Sequence, residues 1–399
     1  MTNEVIKEIQ KKSADNLEYV VGLRRKIHRH PELGFKEFET SKAVKEALSS
    51  FGIPFTEMAG TGVVGLIDSG RPGKCVMLRA DMDALPLTEN SGVDYSSEVP
   101  GVMHACGHDA HTAALIGAAK ILNELKGEFT GCVKLMFQPS EEDEPGAIPM
   151  INEGLLENPH VDWAVAHHIM GALPKGTIGI RYGGIMAAPD LFDFTIRGIG
   201  GHGSSPWICT DVIAIACQAV TLLYSSLARR LPAFDPASMS ICSINAGHSY
   251  NVLPGEITAK GTIRTLSEET RKLIPEVIES SLQAACEGTG ASYEFNWRGD
   301  IPAVINNDFV TEKVEKAVRQ SLGDEKVMIL KEASLGGEDF AYVSEKVPSC
   351  YFKIGIADDM DNYPVHHAAD FAFDDSVLET CMAAMASAAV ELLNSIENN

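Results

Sequence analysis

The sequence predicts an α/β fold with a second, smaller α+β domain inserted into the first. Three observations support this prediction. The chain is 399 residues long, short apolar strand-like segments alternate with helical ones as far as about residue 182, and the pattern changes from residue 183. A chain of this length exceeds one typical hydrophobic core. Alternating strands and helices are typical of a sheet covered by helices.

The first domain is predicted to begin with a helix over residues 3–29, because apolar side chains recur there at helical spacing. Basic residues near its C-terminus favour the helix dipole, so we interpret His28 and His30 as structural residues. A further helix is predicted over about 111–125. The strands of this part are predicted at 62–68, 75–80, 132–138 and 161–167.

The inserted domain is predicted over residues 183–298, and the first domain is therefore discontinuous, with residues 1–182 and 299–399. Within the insert we expect a strand at LFDFTIRG, a helix over 211–229, strands at 239–244 and 256–265, and a helix over 267–287. The first of these helices is apolar nearly all round from Val212 to Tyr224. It therefore needs burial on more than one side, either at a subunit interface or under its own sheet.

The composition excludes several classes of partner. Acidic residues outnumber basic ones 55 to 33, and the formal charge of -22 repels nucleic-acid phosphates and anionic lipid surfaces. The first twenty residues lack the apolar region of a secretory signal, and the apolar run from Val212 to Tyr224 is too short to span a bilayer. The nine cysteines include no CxxC pair, which is typical of reduced thiols. We therefore expect a cytoplasmic protein.

Polar side chains follow three predicted strands, where the loops of an open α/β sheet converge on one crevice. They are Asp81 and Asp83, Glu141 and Glu142, and His167 and His168. The segment HACGHDAHT, residues 104–112, adds Cys106 and His108 on either side of Gly107, which permits a sharp bend. A mixed set of thiolate, imidazole and carboxylate ligands is typical of an open catalytic metal site rather than a structural zinc site.

Two other functions must be weighed against a metal site. A cysteine hydrolase would use Cys106 as nucleophile, but it would leave Glu141 and Glu142 without a role. The segment GIGGHG, residues 198–203, formally matches the dinucleotide-binding pattern GxGxxG, but the acidic residue expected about 20 positions later is missing. The following Ser204, Ser205 and Pro206 instead predict the entry to a helix.

Nine motifs occur in order between about residues 20 and 375: RRKIHRHPELGF, LRADMDALP, MHACGHDAHTA, FQPSEE, GGHGSSP, NVLP, GTIRT, GGEDFAYV and HH before FAFDD. In this order they resemble the M20 metallopeptidase family, in its amidohydrolase branch of hippurate hydrolases, N-acyl-amino-acid amidohydrolases and plant auxin-conjugate hydrolases. The resemblance implies a zinc-peptidase-like catalytic α/β domain, interrupted by a smaller lid domain that also mediates dimerisation.

The resemblance also implies a set of metal ligands for two divalent ions, which would be zinc, manganese, cobalt or nickel. These ligands would be Cys106, His108, Glu142, His168 and His367. Two positions remain open: the sequence has AHH where the family has GLH, so His167 is an alternative to His168. Spacing measured back from Phe371 favours His367, with His366 as the alternative.

The same resemblance implies the remaining roles. Glu141 would be the general base, and Asp83 would orient a metal ligand. His202 would stabilise the oxyanion, in the lid and across the dimer, while Asn251 and Arg264 would hold the substrate.

The implied reaction is hydrolysis of an N-acyl amino acid to a carboxylic acid and a free amino acid by a metal-activated water. The implied partners are a small N-acyl amino acid or short peptide and a second copy of the chain. A metallo-carboxypeptidase or dipeptidase of the same fold is one alternative, and a catalytically silent binding protein is another.

Overall fold

A computed structural model describes residues 1–235, 237–299 and 301–395. The α-helices are α1 (Asn3–Arg29), α2 (Phe38–Ser50), α3 (His108–Glu124), α4 (Ala147–Asn152), α5 (Val212–Arg230), α6 (Glu268–Cys286), α7 (Asp308–Leu322), α8 (Ala341–Ser344) and α9 (Val377–Leu393). The strands are β1 (Phe55–Met58), β2 (Gly62–Asp68), β3 (Cys75–Asp81), β4 (Cys132–Gln138), β5 (Trp163–Pro174), β6 (Ile178–Ile180), β7 (Gly183–Met186), β8 (Ala188–Arg197), β9 (Gly201–His202), β10 (Ser238–Ala246), β11 (Val252–Leu253), β12 (Glu256–Thr265), β13 (Ser292–Arg298), β14 (Val304–Asn306), β15 (Val327–Ile329) and β16 (Ser349–Ala357).

The chain divides into two compact units. Unit 1 comprises Met1–Gly183, Ile305–Glu332 and Tyr342–Asn399, and unit 2 comprises Gly184–Val304 and Ala333–Ala341. The sequence-based division assigned the short segment Ala333–Ala341 to the first domain. In the structure this segment groups with unit 2, because Ser334 exchanges backbone hydrogen bonds with Ile185 and Ala187 at 2.9 and 3.0 Å.

Unit 1 contains an eight-stranded mixed sheet in the order β1-β2-β4-β3-β5-β16-β6-β15. At its centre β3 pairs in parallel with both β4 and β5, and β16 pairs in parallel with β5. Every residue of β3, β4 and β16 is buried, as expected for strands covered on both faces. Alternate residues of these strands join one apolar core with α1, α2, α3, α7 and α9, so these helices cover one face of the sheet.

The predicted elements of unit 1 are largely confirmed, with two differences that matter for the site. The helix expected from about residue 111 begins at His108. Gly107 precedes the helix with a φ of 88°, and the carbonyl of Gly107 accepts from the backbone N–H groups of Ala110 and His111. The strand expected to end at residue 167 runs on to Pro174, because β16 continues to pair with it after β3 has ended. His167 and His168 therefore lie within β5 rather than after it.

Unit 2 contains a four-stranded antiparallel sheet in the order β10-β12-β8-β13, with α5 and α6 packed in a common apolar core. Strand β13 follows α6 as an additional strand beyond the expected elements. The helix entry predicted at Ser204–Pro206 begins a short 3-10 helix rather than α5. A short 3-10 helix occupies Pro206–Ile208, and α5 begins at Val212, where the Asp211 side chain accepts from the N–H of Ala214 at 3.1 Å.

Within one copy of the chain, helix α5 is buried on one side, under its own sheet, which is one of the two arrangements expected from the sequence. Its buried side chains, including Ile215, Ala219 and Leu223, contact the unit 2 core. Its opposite side exposes apolar residues, among them Leu222 and Tyr224. By length and composition alone α5 is long and apolar enough to cross a membrane, with a mean hydropathy of 1.5 over an 18-residue window. Of that window, 33% is buried, against the unit 2 core.

Candidate metal centre

Unit 1 brings all five predicted metal ligands into one cluster. Potential ligand atoms of Cys106, His108 and His168 lie within 4.8 Å of one another, and the same holds for Cys106, Glu142 and His367. Glu141, the predicted base, belongs to a third such group with His108 and Glu142. Because Cys106 and His108 each occur in two of these groups, the cluster is continuous.

Cys106 is placed by the bend at Gly107. The positive φ of Gly107 belongs to the left-handed region that favours glycine, and a Cβ there would lie 2.3 Å from the Cδ1 atom of Ile169. The Cys106 side chain is buried, and burial, together with the nearby carboxylate of Glu142, raises the pKa of its thiol well above the usual range. A nucleophilic cysteine needs a lowered pKa, so this environment disfavours the cysteine-hydrolase alternative.

His108 is oriented by Asp83. Its Nδ1–H donates to Oδ1 of Asp83 at 3.0 Å, so Nε2 is the nitrogen that could bind a cation once it carries no proton. That Nε2 is buried without a hydrogen-bond partner among the described residues, and it lies 3.9 Å from Oε1 of Glu142. Burial raises the pKa of Asp83, but the hydrogen bond from His108 and other contacts outweigh it, so the pKa of this carboxyl lies below its usual range.

Asp83 also fixes the loop that carries the two glutamates. Its Oδ2 accepts from the backbone N–H groups of Glu141 and Glu142, both at 2.9 Å. The preceding Ser140 has a φ of 49°, and its N–H donates to the buried Glu37 carboxylate at 2.8 Å. The loop is therefore held from both sides by buried carboxylates.

His168 and His167 have different environments. Nδ1–H of His168 donates to the carbonyl of Ile169 at 2.5 Å, so its Nε2 is the free nitrogen, 3.3 Å from Sγ of Cys106. Burial, with the neighbouring histidines, lowers the pKa of His168 well below the usual range and keeps its ring neutral. His167 instead stacks on Phe352 with ring centroids 5.9 Å apart, and it belongs to none of the three ligand groups among the described residues.

His366 and His367 also differ in the nitrogen that is available. Nε2 of His366 accepts the backbone N–H of Gly171 at 3.3 Å, so the proton of the neutral ring is on Nδ1, 4.0 Å from Sγ of Cys106. Burial lowers the pKa of His366 to about 4, which keeps the ring neutral. Nε2 of His367 lies 3.1 Å from Oε1 of Glu142, and the His367 backbone has a φ of 62°.

The side chains of this cluster fit a divalent metal centre. The donor atoms are a cysteine sulfur, which a bound cation would hold as a thiolate, imidazole nitrogens and carboxylate oxygens, a mixed set that suits zinc and neighbouring transition metals. The Nε2 of the buried His108 has no hydrogen-bond partner among the described residues, so this nitrogen is available to a cation. A carboxylate that orients a ligating histidine, as Asp83 does, is typical of metal sites.

His111 and Asp81 support this cluster through a hydrogen bond to each other. Nδ1–H of His111 donates to the buried Asp81 at 2.6 Å, and its Nε2 accepts the backbone N–H of Ile169 at 3.0 Å. Both ring nitrogens of His111 are therefore occupied, and the residue fixes β5 beside His168. The pattern DMD in the sequence indicated Asp81, but only the folded chain shows its partner.

The start of α3 is anchored by a second buried network. The Asp109 carboxylate accepts from Nε of Arg24 at 3.0 Å and from Nδ1 of His28 at 2.8 Å. Burial lowers the pKa of His28, but Asp109 and Glu89 outweigh it and raise this pKa to about 9. His28 is therefore structural, as predicted, but its partner is a buried carboxylate rather than the dipole of its own helix.

Unit 2 places two of the three predicted substrate residues together. His202 pairs with Val252 in the short ladder of β9 and β11, and Gly203 N–H donates to the carbonyl of Asn251 at 2.8 Å. Nδ1 of His202 accepts from the backbone N–H of Ser204 at 3.1 Å, so the proton of the neutral ring is on Nε2. The side chains of His202 and Asn251 are exposed.

Arg264 lies on β12 and is engaged in structural contacts. Its Nε donates to the carbonyl of Leu335 at 2.9 Å, and its Nη1 donates to Thr262 and to the carbonyl of Ile263. Arg264 thus attaches the segment Ala333–Ala341 within unit 2, a contact that its position in the motif GTIRT did not reveal.

Comparisons with known proteins identify the family to which the chain is similar. Residues 77–391 match the model of the peptidase family M20/M25/M40. The chain is 39% identical over 384 residues to thermostable carboxypeptidase 1 of Saccharolobus solfataricus, covering 94% of this chain and 96% of the relative. It is 41% identical over 310 residues to an N-acyl-L-amino acid amidohydrolase of Geobacillus stearothermophilus, covering 77% and 82%.

A solved structure gives the same result for the fold. A dinuclear metal-binding peptidase of the M20 family from Bacillus subtilis is similar to this chain with a TM-score of 0.84 and 33% identity. The match covers 96% of this chain and 100% of that structure. The predicted α/β fold class is confirmed.

Proposed function

Because this chain belongs to the peptidase family M20/M25/M40, we propose that it is a metal-dependent amidohydrolase that hydrolyses the amide bond of N-acyl amino acids. The products are a carboxylic acid and a free amino acid. The observation that carries the proposal is the cluster of the buried Cys106 and His108 with the partly buried Glu142 and Glu141 in unit 1.

The proposed ligands of two divalent cations are Cys106, His108, Glu142, His168 and His367. His168 is favoured over His167 because its free Nε2 faces Cys106. His367 is favoured over His366, since the Nε2 of His366 already accepts a backbone N–H. Zinc, manganese, cobalt and nickel all suit a donor set of sulfur, nitrogen and oxygen. When bound, the cations supply Lewis acidity toward water and the scissile carbonyl.

Glu141 is the proposed general base. It takes a proton from the attacking water and later gives that proton to the leaving amine. Two backbone hydrogen bonds from Glu141 and Glu142 to Asp83 hold the loop at this position, so the carboxylate is placed before substrate arrives. A fixed base lowers the entropic cost of reaching the transition state.

His202 is the proposed donor to the oxyanion. Its Nδ1 is occupied by Ser204, so the exposed Nε2–H is the atom that donates. Asn251 is proposed to hold the substrate beside it, since the two are neighbours in the ladder of β9 and β11. Arg264 is proposed to bind the free carboxylate of the amino acid through guanidinium N–H groups not used for Leu335 and Thr262.

We also propose that unit 2 is a lid that mediates a homodimer in the cytoplasm, so that His202 of one copy acts in the site of the other. The apolar side chains on the outer side of α5, including Ile213, Leu222 and Tyr224, support an interface there. Light scattering of the purified protein tests the oligomeric state, and a monomer at all concentrations would contradict this assignment.

A carboxypeptidase is the second candidate. The relative from Saccharolobus solfataricus is named a thermostable carboxypeptidase, and its match covers nearly the whole chain. A carboxypeptidase also hydrolyses an amide bond next to a free carboxylate, so the same base and ligands would serve. The two candidates differ in the group on the acyl side, which is a simple acyl chain or an amino acid residue.

The proposal is tested with a panel of N-acyl amino acids and dipeptides, assayed with Zn²⁺, Mn²⁺, Co²⁺ and Ni²⁺ after removal of bound metal by chelation. Glu141→Gln should lose turnover and keep its metal, because an amide cannot accept the proton. Asp143→Asn, in the same loop but exposed, is the matched control and should retain activity.

Several results would contradict the proposal. Near-normal turnover in Glu141→Gln would exclude Glu141 as the base. Activity that persists after exhaustive chelation would favour the alternative function, a cysteine hydrolase with Cys106 as nucleophile. Metal-loaded wild type without amidase activity on any substrate would instead favour a binding protein of this fold.

A further inference from the structure

Two cysteines outside the candidate metal centre face each other on neighbouring strands. Cys75 and Cys132 are register partners in the parallel ladder of β3 and β4, and each is the first residue of its strand. Partners in a parallel ladder point to the same face of the sheet. The next residues, Val76 and Val133, lie in the helix-covered core, so both thiols point to the opposite face.

The strand separation suits a disulfide. Neighbouring strands lie about 4.8 Å apart, and bridged cysteines have Cα atoms about 4.4–6.8 Å apart. The two chain segments are held in this register by close backbone contact. The Cys132 N–H donates to the Lys74 carbonyl at 3.0 Å, and a Cβ at Gly131 would lie 1.9 Å from that same oxygen. The strand starts therefore stay adjacent without the cross-link.

The two thiols are unequal in reactivity and access. A hydrogen bond between them lowers the pKa of Cys132 and raises the pKa of Cys75, so Cys132 is the thiol of the pair that ionises more readily. Charged groups around the pair are Asp68, Lys134 and Asp162. An open cavity of about 480 Å³ is lined by Cys132, which gives a small oxidant a path to this sulfur. Both cysteines are free thiols.

We propose that Cys75 and Cys132 are a redox modification site that a hydroperoxide converts to a disulfide between β3 and β4. The Cys132 thiolate attacks one peroxide oxygen, the O–O bond breaks, and the hydroxide that leaves is protonated to water. The Cys75 sulfur then attacks the Cys132 sulfenic acid, and the S–O bond breaks. The hydroxide leaves as water with the Cys75 thiol proton. Two thiols are oxidised by two electrons in total, and one hydrogen peroxide is reduced to two waters.

The disulfide would connect the ends of β3 and β4 that are remote from the metal centre. Asp81 and Gln138 lie at the other ends of the same two strands, six residues along each from the cysteines. The cross-link closes the chain between Cys75 and Cys132, which contains α3 and the ligands Cys106 and His108. Because a cross-link restricts the unfolded chain, the oxidised protein should resist unfolding more than the reduced one.

The test uses the full-length protein, which is first fully reduced. It is then treated with hydrogen peroxide at a concentration equal to that of the protein. Remaining thiols are blocked with N-ethylmaleimide, and the digest is mapped by mass spectrometry. The expected product is a linked Cys75–Cys132 peptide lighter by two hydrogen atoms than its reduced parts. Dithiothreitol should restore both thiols, and the thermal midpoint should rise by several degrees on oxidation and return on reduction.

Two variants separate the roles of the thiols. Cys75→Ser should stop at a Cys132 sulfenic acid that dimedone traps, and Cys132→Ser should leave Cys75 unmodified. Cys381→Ser is the matched control, because it removes a buried cysteine elsewhere, and it should still form the linked peptide. Two results with the wild-type protein alone would overturn the proposal. In one, Cys75 and Cys132 both still react with N-ethylmaleimide after peroxide treatment; in the other, Cys132 forms a disulfide with a different cysteine.

Discussion

Asp83→Asn is the substitution whose consequences the structure specifies most fully. The wild-type carboxylate accepts three hydrogen bonds, two from the backbone of Glu141 and Glu142 at 2.9 Å and one from Nδ1 of His108 at 3.0 Å. It is buried, with 2% of its surface exposed. Asparagine has the same shape, but one of its two terminal atoms is an NH₂ donor. It therefore cannot accept hydrogen bonds both from His108 and from the backbone N–H groups of Glu141 and Glu142.

Each orientation of the amide has a definite cost. If the oxygen faces the loop, the NH₂ group faces His108 and forces its proton onto Nε2, the nitrogen that should bind metal. If the oxygen faces His108, the NH₂ group opposes two backbone N–H donors. A hydrogen bond to a charged group contributes about 1.5–3 kcal/mol, so we expect the metal-free protein to lose roughly 2 kcal/mol of unfolding free energy. Metal affinity should fall about 10- to 100-fold, as for other residues that orient a ligand.

The assay is a metal titration against a competing chelator, together with urea unfolding of the metal-free protein. Asp15→Asn, on the exposed side of α1, is the control and should change neither quantity. Metal affinity within about twofold of wild type, a difference below about 0.5 kcal/mol, would refute the tautomer assignment of His108.

Three further predictions follow from the same contacts. Cys106→Ser should bind less metal, because a neutral hydroxyl replaces a thiolate; full occupancy in elemental analysis would contradict this. His367→Ala should lose metal and His366→Ala should largely keep it, so equal losses would refute the assignment of their free nitrogens. The pKa of His28 is raised to about 9, so its contribution to stability is full below about pH 6.5 and is lost as the pH rises through 9. The difference in unfolding free energy between wild type and His28→Gln should therefore shrink by about 3 kcal/mol between about pH 6 and pH 10, and a constant difference would argue against the ion pair with Asp109.

Local patterns in the sequence predicted most of the regular structure. The helix over 3–29 and the strands at 62–68, 132–138 and 256–265 have the expected bounds, because apolar periodicity and turn residues are properties of neighbouring positions. The bounds that differ depend on distant partners. Strand β5 is extended by its pairing with β16, which lies far along the chain.

The sequence by itself determined the fold class, the membership in the family and the residue types available for a metal site, since these follow from composition, periodicity and the order of motifs. Only the tertiary structure decided which nitrogen of each histidine is free. In the sequence, His168 cannot be distinguished from its neighbour His167, nor His366 from its neighbour His367. In the structure, the carbonyl of Ile169 occupies Nδ1 of His168, and the N–H of Gly171 occupies Nε2 of His366. The partner of His366 lies 195 residues away in the chain, and the carbonyl of Ile169 meets the ring of His168 in the folded conformation of β5, so the residue letters alone do not fix either proton position.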